Sequence, residues 1–216
     1  RIPNLYDRCV SQMKYLAENI QNEKVKQVIL NDIAMKYVKK NGIRNITDLE
    51  NIYNAYVTDP DLRAAYKEIR DQWDLTSVGR PSPDFKGQDI NGKTLSLKDF
   101  NGKYLYIDVW ATWCGPCKKE IPFLKELEKK FEGKNITFLS LSTDQNKTDW
   151  ENMVKSGELS GTQLLIGRGS QFQKDYNING IPHFILLDPE GKIVNASMIR
   201  PSSPDIEKVL NALPGI

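Results

Sequence analysis

Apolar residues recur at steps of three and four along roughly the first 75 residues, a spacing that predicts amphipathic helices. Four such stripes follow one another before the pattern changes. They are Leu5, Cys9, Met13, Leu16 and Ile20; Val25, Ile29, Ile33 and Tyr37; Leu49, Ile52, Tyr53 and Tyr56; and Leu62, Tyr66, Ile69 and Trp73. The sequence therefore predicts a small all-helical domain over residues 1–75.

The ends of these helices carry recognisable signals. The pair Asn41-Gly42 suits a left-handed C-terminal cap of the second helix. Thr47 and Glu50 have the spacing of a capping box, which predicts Thr47 as the N-cap of the third helix. Asp59-Pro60 predicts the start of the fourth, with the aspartate as N-cap and the proline in the first helical position.

A segment over 76–83, TSVGRPSP, has no periodicity and gathers Ser, Gly and Pro, so it predicts a linker. Beyond it, strands and helices alternate, which is typical of an α/β domain over residues 84–216. The pair Asn91-Gly92 between two short extended runs predicts a β-hairpin. The run KYLYIDVWA predicts a buried strand, CKKEIPFLKELEKKFEG a helix and NITFLSLS a second buried strand.

Composition narrows the function without assigning it. The 216 residues carry 30 Lys and Arg against 28 Asp and Glu, a formal charge of +2, with no long run of one sign. A nucleic-acid partner is therefore disfavoured. No apolar run approaches the roughly 20 residues of a membrane span, and the chain begins with Arg1, so we expect any targeting segment to lie outside it.

Candidate chemistry centres on Cys114 and Cys117, two residues apart after a predicted strand. Zinc needs about four ligands, and only Cys9 and His183 are left to join the pair, so we expect no metal site. A disulfide across so short a loop would remove little chain entropy, which disfavours a purely structural bridge. A redox couple fits better, because a cysteine at a helix N-terminus has a stabilised thiolate and a second cysteine one turn later can resolve a mixed disulfide.

The motif WATWCGPC resembles the active site of thioredoxins, and the resemblance covers roughly residues 81–216. Its detail is similar to the ResA/TlpA-like thiol-disulfide oxidoreductases of that superfamily. The matching segments are PSPDF, NGKTLSLKDFNGKY, CGPCKKEIPFL and GIPHFILLDPEGKIV. The resemblance implies a thioredoxin-like fold, with a central mixed sheet flanked by helices and an N-terminal β-hairpin.

The resemblance also implies roles for the residues around the motif. Cys114 would be the exposed nucleophile and Cys117 the buried resolving thiol, with Gly115-Pro116 tuning the redox potential toward reduction. Trp113 would shield the disulfide. Pro182 would follow a cis peptide bond beside the cysteines, and the backbone of Ile181 would offer hydrogen bonds to a substrate peptide. No cofactor is implied beyond the redox-active disulfide.

Two acidic residues are further candidates. Asp108 interrupts an apolar strand six residues before Cys114 and matches the buried acid of thioredoxins. Burial would raise its pKa, which suits an acid-base partner of Cys117. Glu120 matches an acid near the thiols of the ResA-like branch, and the alternative is that it supports the helix dipole.

The expected activity is reduction of protein disulfides in the cell envelope, in the periplasm or on the outer face, with re-reduction by a membrane-bound or soluble dithiol donor. A peroxiredoxin-type peroxidase is the first alternative, but Ile107 and Ala111 occupy the places where that motif needs Pro and Thr or Ser. A disulfide oxidase or isomerase is another alternative, and the helical segment could dock one partner. Neither substrate identity nor oligomeric state follows from the sequence.

Overall fold

The computed structural model describes residues 4–216 and divides into two compact units, one ending at Asp74 and the other beginning at Leu75. The first unit consists of helices α1 (Leu5–Asn19), α2 (Glu23–Asn41), α3 (Thr47–Tyr56) and α4 (Pro60–Asp74). Its core contains fully buried side chains from the first three helices, among them Met13, Leu30 and Leu49. Tyr53 stacks on Tyr66 with ring centroids 4.1 Å apart, which joins α3 to α4.

The innermost row of helix α2 is shifted from the predicted stripe, although Ile33 and Tyr37 of that stripe still pack against the core. Its fully buried side chains are Leu30, Ala34 and Val38, one position along from the predicted stripe, and Val25 of that stripe is 47% exposed. The helix packs against α1, α3 and α4. Because it is contacted from several sides, apolar residues occur around much of its circumference, and their spacing alone does not identify the innermost row.

The helix-end predictions have mixed outcomes. Gly42 ends α2 as predicted and has a positive φ of 76°, but its ψ of −165° lies outside the left-handed helical region. The Asp59 carboxylate accepts from the N–H groups of Asp61 and Leu62 at the start of α4, so that prediction is confirmed. The capping box is wrong. Thr47 is the first helical residue and Ile46 is the N-cap, without a side-chain cap bond, while Glu50 forms an ion pair with Arg70.

The second unit is built on a seven-stranded mixed sheet. Its strands are β1 (Lys86–Gln88), β2 (Thr94–Ser96), β3 (Tyr104–Trp110), β4 (Ile136–Ser142), β5 (Thr162–Leu165), β6 (His183–Leu187) and β7 (Ile193–Asn195). The order is β2-β1-β5-β4-β3-β6-β7. The pairs β3–β4 and β4–β5 are parallel, and the other four are antiparallel.

Helices cover both faces of this sheet. They are α5 (Gly115–Lys130), α6 (Lys147–Lys155), α7 (Gln171–Asp175) and α8 (Ile206–Asn211), with a short 3-10 helix at Leu97–Phe100. One face of the sheet packs with Phe172 of α7, and the other packs with Leu124 of α5 and Leu210 of α8. The mixed sheet, its flanking helices, the N-terminal hairpin and the preceding helical region are confirmed.

The segment predicted as a linker is bonded to the second unit. Gly79 donates its N–H to the Ile193 carbonyl, Ile193 donates to Arg80, and Ser82 donates to Gly191. The Ser82 hydroxyl also lies 2.6 Å from the Tyr176 hydroxyl. Residues 79–82 therefore lie along β7.

None of the helices in the described range 4–216 is long and apolar enough to span a bilayer.

Candidate active site

Cys114 and Cys117 lie where the central strand β3 gives way to helix α5. Cys114 is the N-cap of α5, and its sulfur accepts a hydrogen bond from the backbone N–H of Cys117 at 3.2 Å. The two sulfurs form a disulfide. In the dithiol form, the same N–H group and the helix N-terminus would stabilise a Cys114 thiolate, because both direct positive charge at that sulfur.

The expectation that Cys114 is exposed is wrong for this disulfide form. Cys114 is 4% exposed and Cys117 is 3% exposed. Both pack in a cluster with Trp110, Ala111 and Trp150. The loop that carries Cys114 follows directly after the buried strand β3, so it lies among apolar side chains at the end of the sheet. A substrate therefore meets the disulfide at a small exposed edge, most of it on Cys114.

Trp113 and the Ile181-Pro182 segment border that edge. Trp113 is 64% exposed, unlike the buried Trp110, and it lines a cleft of about 750 Å³ together with Gly180 and Ile181. The Ile181-Pro182 peptide bond is cis, as predicted. The Ile181 carbonyl oxygen lies 3.7 Å from the Cys114 sulfur, so this backbone segment is adjacent to the disulfide.

A hydrogen-bond network that the sequence analysis missed holds the loop before Cys114. The buried Asp144 carboxylate accepts from the Thr112 N–H at 3.0 Å and from the Thr112 hydroxyl at 2.7 Å. It also accepts from the Ser142 hydroxyl at 2.7 Å. Thr143 donates its N–H to the Trp110 carbonyl. The signal was available, because an aspartate stands two residues after the end of the buried strand NITFLSLS.

Asp108 lies on β3 between Ser140 of β4 and Phe184 of β6. It is buried, and its Oδ1 atom has no hydrogen-bond partner within the described residues. Burial raises the pKa of Asp108 to about 8, with smaller contributions from the negative charges of Glu120 and Glu128. Asp108 therefore holds a proton at neutral pH, as the sequence analysis expected.

Glu120 is buried one turn after Cys117, and both of its carboxylate oxygens accept hydrogen bonds. It accepts from the N–H of Ser202 at 3.0 Å and from the Ser202 hydroxyl at 2.9 Å, and a guanidinium nitrogen of Arg200 lies 3.5 Å away. The helix-dipole alternative is wrong in its placement, because α5 begins at Gly115 and Glu120 lies beyond the first turn. Glu120 instead joins α5 to the loop after β7, and its catalytic role stays a prediction.

Glu128, on the same helix, is a half-buried acid that the sequence analysis did not single out. Burial raises its pKa, and its charge adds to the field on Asp108. In the sequence it stands within KELEKK, where it looks like one of several surface charges. Only the helix phase, which places it on the side that faces the sheet, separates it from its neighbours.

His183 is bonded away from the cysteines, and its neutral form is favoured. Its Nε2 atom lies 2.8 Å from the Ala196 carbonyl oxygen, and burial lowers the pKa of the imidazole. Over residues 4–216, no three His, Cys, Asp or Glu side chains gather into a group that could hold a metal ion.

Comparison with known proteins agrees with this geometry. The Redoxin family model matches residues 77–213. The thiol-disulfide oxidoreductase ResA of Bacillus thuringiensis subsp. konkukian is 31% identical over 136 residues, which cover 63% of this chain and 78% of that protein.

Two solved structures from Bacteroides vulgatus are also similar. A solution structure of a protein described as a thiol-disulfide oxidoreductase has 58% identity and a TM-score of 0.56, covering 62% of this chain and 88% of that one. The thioredoxin domain of another thiol-disulfide oxidoreductase has 34% identity and a TM-score of 0.57, covering 62% and 96%. The chain belongs to the Redoxin family and is a ResA-like thiol-disulfide oxidoreductase of the thioredoxin superfamily.

Proposed function

We propose that this enzyme reduces disulfides of protein substrates through the Cys114/Cys117 dithiol. The observation that carries the proposal is the position of Cys114. It is the N-cap of α5, and its sulfur accepts a hydrogen bond from the Cys117 N–H. It also lies beside the Ile181 carbonyl, which borders an open cleft. The Ile181 N–H has no backbone hydrogen bond within the described residues. A substrate strand can therefore pair with Ile181 while its disulfide faces Cys114.

The reaction proceeds by two exchanges. The Cys114 thiolate attacks one substrate sulfur, and the other substrate sulfur leaves as a thiolate and takes a proton. Cys117 then loses its proton and attacks the Cys114 sulfur, which releases the second substrate thiol and leaves the Cys114–Cys117 disulfide. The substrate gains two electrons and the enzyme loses two, so a dithiol donor must reduce the enzyme again.

Asp108 in its ionised form is proposed as the group that takes the Cys117 proton, and with a pKa of about 8 that form is the minority at pH 7 and becomes the majority above pH 8. Its pKa of about 8 lies near the roughly 8.5 of an ordinary thiol, so transfer between the two groups costs little free energy. A carboxyl with an ordinary pKa near 4 would be a much weaker base toward a thiol. Burial of Asp108 supplies this match.

We expect Cys117→Ser to accumulate a mixed disulfide with a protein substrate, because attack by Cys114 survives and resolution does not. Cys114→Ser is the matched control and should trap nothing. Non-reducing electrophoresis after acid quenching checks both variants. Trapping by the Cys114→Ser variant would reverse the two roles.

The direction of the reaction is tested by the reduction potential of the dithiol, measured by equilibration with glutathione. Thioredoxin-type reductants lie near about −270 mV and strong oxidants near about −120 mV. A value toward the first supports a reductase, and a value toward the second supports an oxidase or isomerase.

We further propose that the enzyme works in the cell envelope, with a membrane-bound or soluble dithiol donor. The support is its similarity to ResA and to the thiol:disulfide interchange protein DsbE of Chlorobium tepidum, which is 25% identical with a TM-score of 0.54. Labelling intact producer cells with a membrane-impermeant thiol reagent tests this location. Labelling only after lysis would contradict it.

For the domain organisation, we propose a helical domain over residues 1–75 and a redox domain over 84–216, joined by a segment over 76–83 whose residues 79–82 bond to the redox domain. The separate core of the helical unit supports it. Limited proteolysis that leaves two resistant fragments would agree with the proposal, and uniform degradation would oppose it.

A further inference from the structure

The proton of Asp108 needs a route to solvent. Because the pKa of Asp108 is about 8, its carboxyl is mostly protonated at neutral pH and must lose that proton before it can accept the one from Cys117. Asp108 is 7% exposed and Cys117 is 3% exposed. A buried side chain exchanges protons through hydrogen-bonding groups or chains of water. The proposed mechanism therefore requires a polar path between Asp108 and solvent.

Polar side chains cross the sheet next to Asp108. Asp108 of β3 is paired with Ser140 of β4, and Ser140 is paired with Gln163 of β5. Directly paired residues of neighbouring strands have their side chains on the same face of the sheet. Ser140 and Gln163 are buried, as Asp108 is. The three residues Asp108, Ser140 and Gln163 therefore form a buried polar row across the strands.

Helix α5 places Glu128 near the Gln163 end of this row. A Cβ atom at Gly161, directly before β5, would lie 2.6 Å from the Glu128 Oε1 atom, so the carboxylate contacts the start of β5. The Ser160 hydroxyl lies beside the same carboxylate, and the negative charge of Glu128 acts on Asp108. Because Glu128 is half-buried, its side chain lies between the polar row and the protein surface.

Three buried oxygen atoms in this region have no hydrogen-bond partner among the described residues. They are Asp108 Oδ1, Gln163 Oε1 and Glu128 Oε1. The Gln163 amide is held in place, because its Nε2 atom donates to the Ser160 carbonyl at 2.6 Å. Burying acceptors without a donor costs free energy, and internal water satisfies such groups with about three hydrogen bonds each. The region is therefore suited to binding internal water.

Glu120, the other acid on α5 that acts on Asp108, is a poorer exit for the proton. Both of its carboxylate oxygens accept hydrogen bonds from Ser202, and protonation of Glu120 would weaken these bonds. Glu128 has a buried oxygen that can accept from water. The path therefore runs from Asp108 toward Glu128.

We propose that the polar row binds internal water and carries protons between Asp108 and the surface at Glu128, an inference that rests on the proposed reduction of protein disulfides. Ser140 and Gln163 are then positioning residues, because they hold the water. The Asp108 carboxylate takes the Cys117 proton, the resulting carboxyl passes a proton to water, and the proton leaves beside Glu128. No electrons move in these steps, and the Asp108 carboxylate is restored. When a dithiol donor reduces the enzyme again, Cys117 leaves as a thiolate and regains a proton by the reverse path.

Infrared spectroscopy of the disulfide form at pH 6 measures the exchange itself. The carbonyl-stretching band of the protonated Asp108 carboxyl is identified by its loss in Asp108→Asn, and the shift of the band after rapid dilution into D2O reports exchange of the proton. Gln163→Met keeps the length of the side chain without its polar groups, so it should slow the exchange at least about 10-fold. Ser140→Ala should also slow it, and Ser140→Thr, which retains a hydroxyl, should exchange at nearly the unmodified rate.

Thr137→Val is the matched control. It removes a hydroxyl from the strand that carries Ser140, but an odd number of residues separates the two positions, so Thr137 lies on the opposite face of the sheet. The exchange rate of the Asp108 proton should be unchanged in this variant. In turnover at pH 7, reduction of insulin disulfides should slow in Gln163→Met and Ser140→Ala and be unchanged in Thr137→Val.

The outcomes separate the two proposals. Exchange at the unmodified rate in both Gln163→Met and Ser140→Ala, or equal slowing in Thr137→Val, would overturn the water path and leave the reductase assignment standing. Failure of the unmodified enzyme to reduce insulin would overturn the reductase assignment and, with it, the catalytic role of the path.

Discussion

Asp108 combines a raised pKa with an unpartnered oxygen, and both follow from one residue position. The strand YLYIDVW is buried along its whole length, so a carboxylate within it loses its hydration. Because the side chain faces the sheet surface under α5, its charged form is also opposed by Glu120 and Glu128. The native state therefore stabilises the protonated form of Asp108, and ionisation of Asp108 at higher pH destabilises the native state.

The pH dependence of stability follows from this shift. Native Asp108 binds its proton up to about pH 8, whereas the unfolded residue releases it near about pH 4. Between these values the native state binds more protons, so the free energy of unfolding falls as pH rises. Asp108→Asn should remove this fall. At pH 9 its free energy of unfolding, measured by urea denaturation, should exceed that of the unmodified protein by about 2–5 kcal/mol, and the difference should be smaller at pH 5.

The same variant should reduce insulin disulfides at least about 10-fold more slowly near pH 7, because an amide cannot take the Cys117 proton. Its deficit should shrink toward pH 9. As a companion variant, Glu128→Gln keeps Asp108 but removes a negative charge, so it should shift the inflection of the pH–rate profile to lower pH. An unchanged profile in Asp108→Asn between pH 6 and 9 would remove the buried acid from the mechanism.

Cys9 differs from the redox cysteines in its surroundings. It is a buried free thiol on α1, and burial raises its pKa. We expect iodoacetamide to label Cys114 first in the reduced native protein and to reach Cys9 only when the helical unit unfolds. Peptide mapping over time checks the order, and early labelling of Cys9 would contradict its core placement.

At the scale of elements, β1 approaches β5 closely because of Gly87. A Cβ atom at this position would lie 2.8 Å from the Leu164 Cβ. Gly87→Ala should therefore lower the free energy of unfolding by about 1–3 kcal/mol through overpacking. Gly92→Asn is the control, since that turn has open space and a φ of 82° that Asn tolerates. Equal urea midpoints for the two variants would refute the close approach.

The sequence predicted the elements well and their faces less well. Strand β3, helix α5 and the Asn91-Gly92 hairpin follow from local pattern and turn chemistry. The inner row of α2 could not be read locally, because three neighbouring helices decide it. Glu50 likewise pairs with Arg70, twenty residues away, rather than capping its own helix. Contacts distant in sequence account for both errors.

The candidate site shows the same division. The cysteine pair and its position at a helix start could be predicted from the motif. Asp108 could be predicted because it is a charged residue inside an apolar strand. The burial of Cys114 could not be predicted, because it depends on packing with Trp150 of another helix. The bonds of Glu120 could not be predicted either, because Ser202 lies 82 residues later in the chain. The cleft beside Trp113 was missed because segments distant in sequence line it.

At the scale of the whole molecule, the two units have separate cores. The boundary between them at Asp74 and Leu75 lies close to the start of the Redoxin match at residue 77. The family resemblance therefore concerns the second unit.

Residues 79–82 determine how far the N-terminus of the second unit can be shortened without exposing an edge of the sheet. They bond along β7, which is the last strand at one side of the sheet. A shortened chain that begins at residue 84 would leave that side with unpaired backbone groups, which are a template for edge-to-edge association. We expect it to self-associate in light scattering, whereas a chain beginning at residue 75 stays monodisperse. Equal behaviour of the two would mean that the edge needs no cover.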